Sequence, residues 1–546
     1  MVITLPNNEK KEFVHAIVGR ELLSLFEKTE YPIVALRVNN EVLPLNHILD
    51  IDATVEPVML NSEDGAAMYR RTLCFLLAAA AKKVYPNLRL LVGHSLAHGY
   101  YYTFENQNHK TVALDKIETE MRSMVEKDLP IENSWISYES AQDYFKKANQ
   151  SATLNLLNYL SKPKFLITKL GDYRDLYFQP LLDRVGSLKV FELLKYDDGF
   201  LLRFPKSQTP GKLDTFKDVP KLFNIYKEYK NWGRLVGVSS VGDLNRLIET
   251  RNIDDYMEMC EILQNNKIAQ LTTDFKKKKT ARLILIAGPS SSGKTTFAKK
   301  LSLHLKVLAY NPAIISLDDF YLGAANAPRD ENGKPDFECL EALDLELLNQ
   351  VLLDLMDNKE VDLPIYDFKT SSRRDVTKKF KLPENGILIL EGIHGINEKL
   401  TPKIPAELKY RIFLSALTQL NLDDHNRIPT SDNRLLRRIV RDAQFRGSSA
   451  AKTIEMWKGV RAGENKHIFP FQNTADAFFN TALDYELPVL KVYAEPLLRI
   501  VKPTESEYNE ACRLLAFLQN FSAVPANAVP RRSILREFIG DSAFSY

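Results

Sequence analysis

Cysteine is scarce: four in 546 residues, Cys74, Cys260, Cys339 and Cys512, with no C-x-x-C pair. That excludes a disulfide framework and a cysteine zinc site, and it fits reduced, buried thiols. Long apolar runs are missing too. The most apolar stretch, Leu73 to Ala81, is far too short to cross a bilayer, so no membrane role is expected. The first ten residues, from Met1 to Lys10, lack the charged-then-apolar order of a secretory signal, which makes the cytoplasm the expected compartment. Nor is there an excess of one charge. Lys and Arg number 73 against 70 Asp and Glu, a net charge of +3, which is too balanced to argue for nucleic-acid binding by the whole molecule. No repeat or low-complexity tract stands out.

The composition that remains, 45% hydrophobic and 26% charged, is that of a globular chain long enough for about three or four domains. Residues 1–60 read as a small β-rich module, with a strand at Val34–Val38 and a turn at Asn39-Asn40. Residues 61–230 mix helices and strands. Asp64 to Lys82 is helical with an apolar face, Gly99–Phe104 is an aromatic strand, and Lys206–Lys212 is an exposed loop. Residues 231–280 read as a helical linker, helical over 241–275 and ending in the charge run Lys276–Lys279.

Residues 281–505 alternate strand and helix. Strands are expected at Leu283–Ala287, Ile314–Leu317, Gly386–Leu390 and Tyr410–Leu414, and helices at Leu345–Leu355 and Arg434–Phe445. Such alternation predicts an α/β fold, a parallel sheet with helices on both faces. Residues 506–546 carry no chemical signal and are expected to form a helical tail packed on this region or on a partner.

The first of those strands runs into Gly288-Pro289-Ser290-Ser291-Ser292-Gly293-Lys294-Thr295, the G-x-x-x-x-G-K-[ST] phosphate-binding pattern, and a helix beginning near Thr296 leaves it. Glycines let backbone N–H groups turn inward around a phosphate, and the helix adds the positive end of its dipole. Lys294 is placed to reach the β/γ-phosphates and Thr295 to hold Mg²⁺, so the chain is expected to bind ATP or GTP. The next strands end in carboxylates. Asp318 could accept the proton of an attacking hydroxyl or hold a water on the metal, and Glu391 could bind the metal's water shell. The Arg434–Gly447 segment sets guanidiniums at i,i+4 spacing, as in Arg434/Arg438 and Arg437/Arg441, and Arg forks suit phosphate oxygens.

Together with Ser316–Tyr321, Leu363–Phe368 and Leu390–Ile393, these segments make residues 283 to about 505 resemble the uridine kinase family, related to phosphoribulokinase and pantothenate kinase. The resemblance implies an ATP- and Mg²⁺-dependent kinase of P-loop fold acting on the hydroxyl of a nucleoside or similar small molecule. It assigns the general base to Asp318, with Tyr321 and Phe337 on the substrate side, and the metal-associated glutamate to Glu391. It places the base-contacting tyrosine at Tyr366 and the lid arginines at Arg437, Arg438, Arg441 and Arg446. Two positions depart from the family. Its Phe-Asp-His-Pro-Asp segment appears as Phe337 to Glu341, with Glu338 for the aspartate, and the histidine that helps read a pyrimidine is Ser371. A small hydroxyl there leaves room for another base or a non-nucleoside polyol.

The stretch from about 30 to 200 resembles the N-terminal region of threonyl-tRNA synthetase, a TGS module and an editing domain. Leu43–Leu45, Pro86–Leu90, Gly99–Tyr102, Asp128–Ile131, Asp175–Tyr177 and Phe191–Leu194 carry the likeness. The editing histidines fall on Arg71 and Phe75, and the later Cys and His on Tyr177 and Leu181, so nothing remains to position a hydrolytic water. His94 and His98 have a suggestive spacing, but they lie just before a strand rather than on a helix. A nucleotide-switched regulatory protein whose first half contacts RNA is the alternative to a kinase. Asp318 separates the two, because a switch needs no acceptor-orienting base. Assembly into a homo-oligomer is left open.

Overall fold

A computed structural model describes all residues except 108–110, 330–332, 368–369 and 546, so Phe368 of the Leu363–Phe368 segment lies outside the described residues. Five strands form a wholly parallel sheet in the order Asn311–Ser316, Gly386–Glu391, Leu283–Ala287, Lys409–Ser415, Ala477–Asn480. The strand that enters the phosphate loop is central and buried throughout, as its apolar run demands. The chain leaves it for the sheet edge at Asn311–Ser316 and returns, so the crevice at the C-terminal ends of the strands opens beside the loop.

The segment expected as a linker is part of the core. Its helical stretch is two helices, Val241–Glu249 and Ile253–Lys277, interrupted where Arg251 takes a left-handed φ of 58°. The second lies against the phosphate-loop helix, Lys294–Val307, where buried Lys300 Nζ donates to Glu261 Oε2 at 3.1 Å. Tyr485 OH donates to the other oxygen of Glu261 at 2.8 Å.

Near the N-terminus, Val2–Thr4, Lys10–Glu12, Ile33–Val38, Glu41–Pro44 and Ala53–Met59 form a five-stranded mixed sheet. Asn39 and Asn40, both at positive φ, make its tight hairpin, as Asn can at low steric cost. Helix Glu63–Val84 follows and buries Leu73 to Ala81 completely. It packs with a four-stranded antiparallel sheet that contains Gly99–Phe104. His94 lies in strand Leu90–Leu96, stacked on Tyr226 at 5.4 Å, while His98 is in the turn that follows. The positions matched to editing ligands are taken up by packing. The Phe75 ring meets Tyr177 at 5.3 Å, Arg71 donates to the Pro180 carbonyl, and Leu181 is buried.

The two halves meet through a polar loop that leaves the sheet at Ser415 and enters helix Thr430–Phe445. Its residues Asp423, Asp424 and His425 are buried. Asp424 accepts from Arg89 Nε at 2.6 Å, Thr153 N at 2.9 Å and Thr153 Oγ1 at 3.1 Å. His425 Nδ1 is 2.7 Å from Asp175 Oδ2, which also accepts from Tyr173 OH. The backbone joins in, because Val92 N donates to the Asp424 carbonyl and Asn421 Nδ2 to the Val92 carbonyl.

Burial alone would depress the His425 imidazolium, but Asp175, with Asp424 and Asp423, outweighs it and lifts the pKa to about 9. Burial, then the Asp175 charge, raises Asp423 to about 7. Both groups hold protons more tightly in the folded chain. The His425 contribution is complete below its ordinary value near 6.5 and is lost as the pH climbs to 9, and Asp423 loses its contribution earlier in the same direction. Thermal melts should therefore show the stability difference between wild type and His425→Gln shrinking by about 3 kcal/mol between pH 6.5 and 9. A difference that stays constant over this range would refute the seam's role.

Candidate active site

The phosphate loop closes on itself. Gly293 has a φ of 80°, and a Cβ at Gly288 would lie 2.7 Å from the Leu414 carbonyl oxygen, so both glycines of the motif are geometric requirements. Lys294 curls back, its Nζ 3.1 Å from the Gly288 carbonyl and 3.3 Å from that of Pro289. Burial lowers its pKa, opposed by the charges of Glu391, Asp318 and Glu537.

Carboxylates gather in front of it. Glu391, at the end of its strand, is buried and accepts from Thr295 Oγ1 at 3.1 Å and Ser316 Oγ at 3.2 Å. Burial, and next the charge of Asp318, raises its pKa to about 7. Asp318 follows strand Asn311–Ser316 in a short 3-10 turn, begun one residue before the expected strand end because Ser316 Oγ caps the Asp318 amide at 3.3 Å. The turn leaves Asp318 half-buried, near enough to act on Lys294, Glu391, Tyr321 and Arg446.

The expected substrate side is contiguous with Asp318. The rings of Tyr321 and Tyr366 lie 5.6 Å apart, and Phe337 stands edge-on to Tyr321 at 5.7 Å. Tyr321 OH donates to the Phe337 carbonyl, and Asp319 Oδ1 accepts from Tyr366 N at 3.2 Å. The Ser371 hydroxyl engages Tyr366, and its backbone, at a φ of 51°, accepts from Ala324 N. Glu338 is pushed up to about 7 by burial and then by Glu464, and a Cβ on Gly463 would be 2.4 Å from its own Cβ. Sequence reasoning missed Arg373, which holds this wall by donating to the carbonyls of Phe320 and Tyr321 and to Asp344.

Helix Thr430–Phe445 brings its arginines up in unequal roles. Arg438 Nη1 donates to Ser290 Oγ at 2.8 Å. Arg434 donates to the Ser290 carbonyl and pairs with Glu464, and both side chains are fully buried. Arg437 supports the loop from behind, bonded to Glu486, the Ser291 carbonyl and the Thr481 carbonyl. Arg441 turns to Asp442, and Arg446 lies at 3.7 Å from the same carboxylate. Three glutamates outside the motifs complete the site. Glu464 accepts from Ser290 N at 3.0 Å, Glu486 holds Arg437, and Glu537 accepts from Thr296.

Comparisons with known proteins divide the chain similarly. The model of the phosphoribulokinase/uridine kinase family matches residues 283–487. The threonine–tRNA ligase of Halorhodospira halophila is 29% identical over 196 residues, 35% of this chain and 31% of that protein. That of Clostridioides difficile is 30% identical over 195 residues, 35% of this chain and 30% of that protein. The chain thus spans about a third of the length of these relatives. Among solved structures, a possible uridine kinase from Bacillus stearothermophilus is 20% identical, with a TM-score of 0.25, covering 37% of this chain and 89% of that one. D-glycerate 3-kinase from Cryptococcus neoformans var. grubii is 16% identical, with a TM-score of 0.21, covering 44% and 79%. The phosphate loop, the strand-end carboxylates and the arginine helix all fall within the matched range. Residues 283–487 are thus similar to the phosphoribulokinase/uridine kinase family, and the region before them is similar to part of the threonine–tRNA ligases.

Proposed function

We propose that this chain is an ATP- and Mg²⁺-dependent kinase that phosphorylates a hydroxyl of a small molecule, a nucleoside or a related polyol. The observation that carries the reading is the convergence of Lys294, Thr295, Asp318 and Glu391 at the ends of adjacent parallel strands. Phosphoryl transfer needs positioning and charge stabilisation more than covalent chemistry from the protein, and each need has a residue. The loop amides cradle the phosphates, Lys294 leaves its carbonyl partners for phosphate oxygens, and Arg438 adds positive charge. Asp318 receives the proton of the acceptor hydroxyl.

Mg²⁺ fits the donor set. Two hydroxyls converge on one Glu391 oxygen, and Asp318 adds a second negative charge beside a buried carboxylate, an arrangement that favours a cation. Thr295 and Glu391 would hold it, and when bound it supplies neutralisation of charge on the transferring phosphoryl group. On the acceptor side, Tyr321, Tyr366 and Phe337 offer an aromatic wall and Glu338 a carboxylate for hydroxyls. Ser371 at the pyrimidine-reading position favours an acceptor other than uridine itself.

ADP release with Mg²⁺-ATP and a panel of nucleosides and polyols tests the reaction directly. Asp318→Asn should lower kcat on the active acceptor by about 10²–10⁴ while leaving ATP affinity unchanged. Undiminished turnover would remove Asp318 as the base. Glu391→Gln should raise the Mg²⁺ concentration for half-maximal turnover about 10–100-fold, read from a metal titration at saturating ATP. An unshifted titration would place the metal elsewhere.

A further inference from the structure

The segment after Val529 returns to the phosphate loop. Glu537 Oε2 accepts from Thr296 N at 2.9 Å and from Thr296 Oγ1 at 2.7 Å. Thr296 is the third residue of helix Lys294–Val307, so its amide is among those with no partner inside the helix. The helix's N-cap is Gly293, which has no side chain to offer. Thr296 is fully buried. In a phosphate loop such an amide faces the bound phosphate chain. Here a carboxylate from more than two hundred residues away has taken it.

The segment is firmly seated. Ile534, Leu535, Phe538 and Ile539 are buried. The Arg437 guanidinium lies 5.0 Å from the Phe538 ring, and Ser533 Oγ is 3.0 Å from Tyr485 OH. A Cβ on Gly293 would lie 2.5 Å from Ile534 Cγ2, so the motif's second glycine also makes room for this segment. The Glu537 charge is felt inside the site, adding to the rise of the Glu391 pKa and opposing the burial that lowers that of Lys294.

We propose that Glu537 is an internal occupant of the nucleotide phosphate site and that the C-terminal segment is an autoinhibitory latch, released when Glu537 leaves Thr296. One N–H cannot give a strong, linear bond to a carboxylate and to a phosphate oxygen at once. A phosphate chain placed beside Glu537 would also meet its charge together with those of Glu391 and Asp318. The apolar anchors keep the backbone in place, so release is a swing of the Glu537 side chain rather than departure of the segment. This inference rests on the nucleotide-binding reading above.

The test is calorimetric titration of the full chain, as wild type, Glu537→Ala, Glu537→Gln and Lys294→Ala, with ATP and separately with inorganic tripolyphosphate. Glu537→Ala should bind ATP about tenfold more tightly than wild type, with Glu537→Gln in between. Tripolyphosphate should show a similar gain, because the competition is for the phosphate position. The near-isosteric Gln variant, with far-UV circular dichroism matching wild type, guards against a misfolded Ala variant. Lys294-dependent binding that is equal or weaker in both Glu537 variants overturns the latch and leaves nucleotide binding intact. If no form shows Lys294-dependent binding, the nucleotide reading falls and the latch with it.

Discussion

A loop that turns its amides inward must give each of them an acceptor, and that requirement organises the centre of this molecule. Buried N–H groups left unpaired cost about 1–3 kcal/mol each. Here Glu464 takes the amide of Ser290 and Glu537 that of Thr296, while Lys294 spends its ammonium on the loop's own carbonyls. The buried Glu464 carboxylate then calls for a cation. Arg434 answers Glu464, and Glu486 in turn fixes Arg437, so the arginine helix is drawn down onto the loop by a chain of charge compensation. Such fully buried pairs add little net stability over an apolar core. They do fix which side chains face the loop.

The same helix is tied to the first half of the chain. The loop that feeds it passes through the buried cluster of Asp423, Asp424 and His425, which lies against Arg89, Thr153, Tyr173 and Asp175. The charge of Asp423 reaches Tyr177, one of the positions where the resemblance would place an editing ligand. The part of the first half around Tyr173, Asp175 and Tyr177 is thus the surface on which the second half anchors a loop.

What was legible in the sequence is local. A phosphate loop, strand-end carboxylates and an i,i+4 arginine pattern are short-range signals, and the strands and helices around them follow from periodicity and turn residues. The partners of those groups were not legible. Glu464 and Glu486 sit in ordinary helical contexts, and nothing in their neighbourhoods marks them as facing the loop. Glu537 had one faint cue: it is a single carboxylate between two apolar pairs, Ile534-Leu535 and Phe538-Ile539, in a tail that otherwise read as featureless. The helix Ile253–Lys277 resembled a linker because its charged end, Lys276–Lys279, dominates composition, while Glu261 and its buried partner Lys300 are 39 residues apart.

The polar seam at Asp424 also bears on how such a chain can be taken apart. An apolar interface, once cut, leaves two greasy faces that can still collapse or re-associate. This one, once cut, leaves Arg89 with Glu105 but without Asp424, and it parts His425 of the loop from Asp175 of the first half. Neither piece is a ready-made module, and a graft of either half onto another protein would have to bring the facing loop with it.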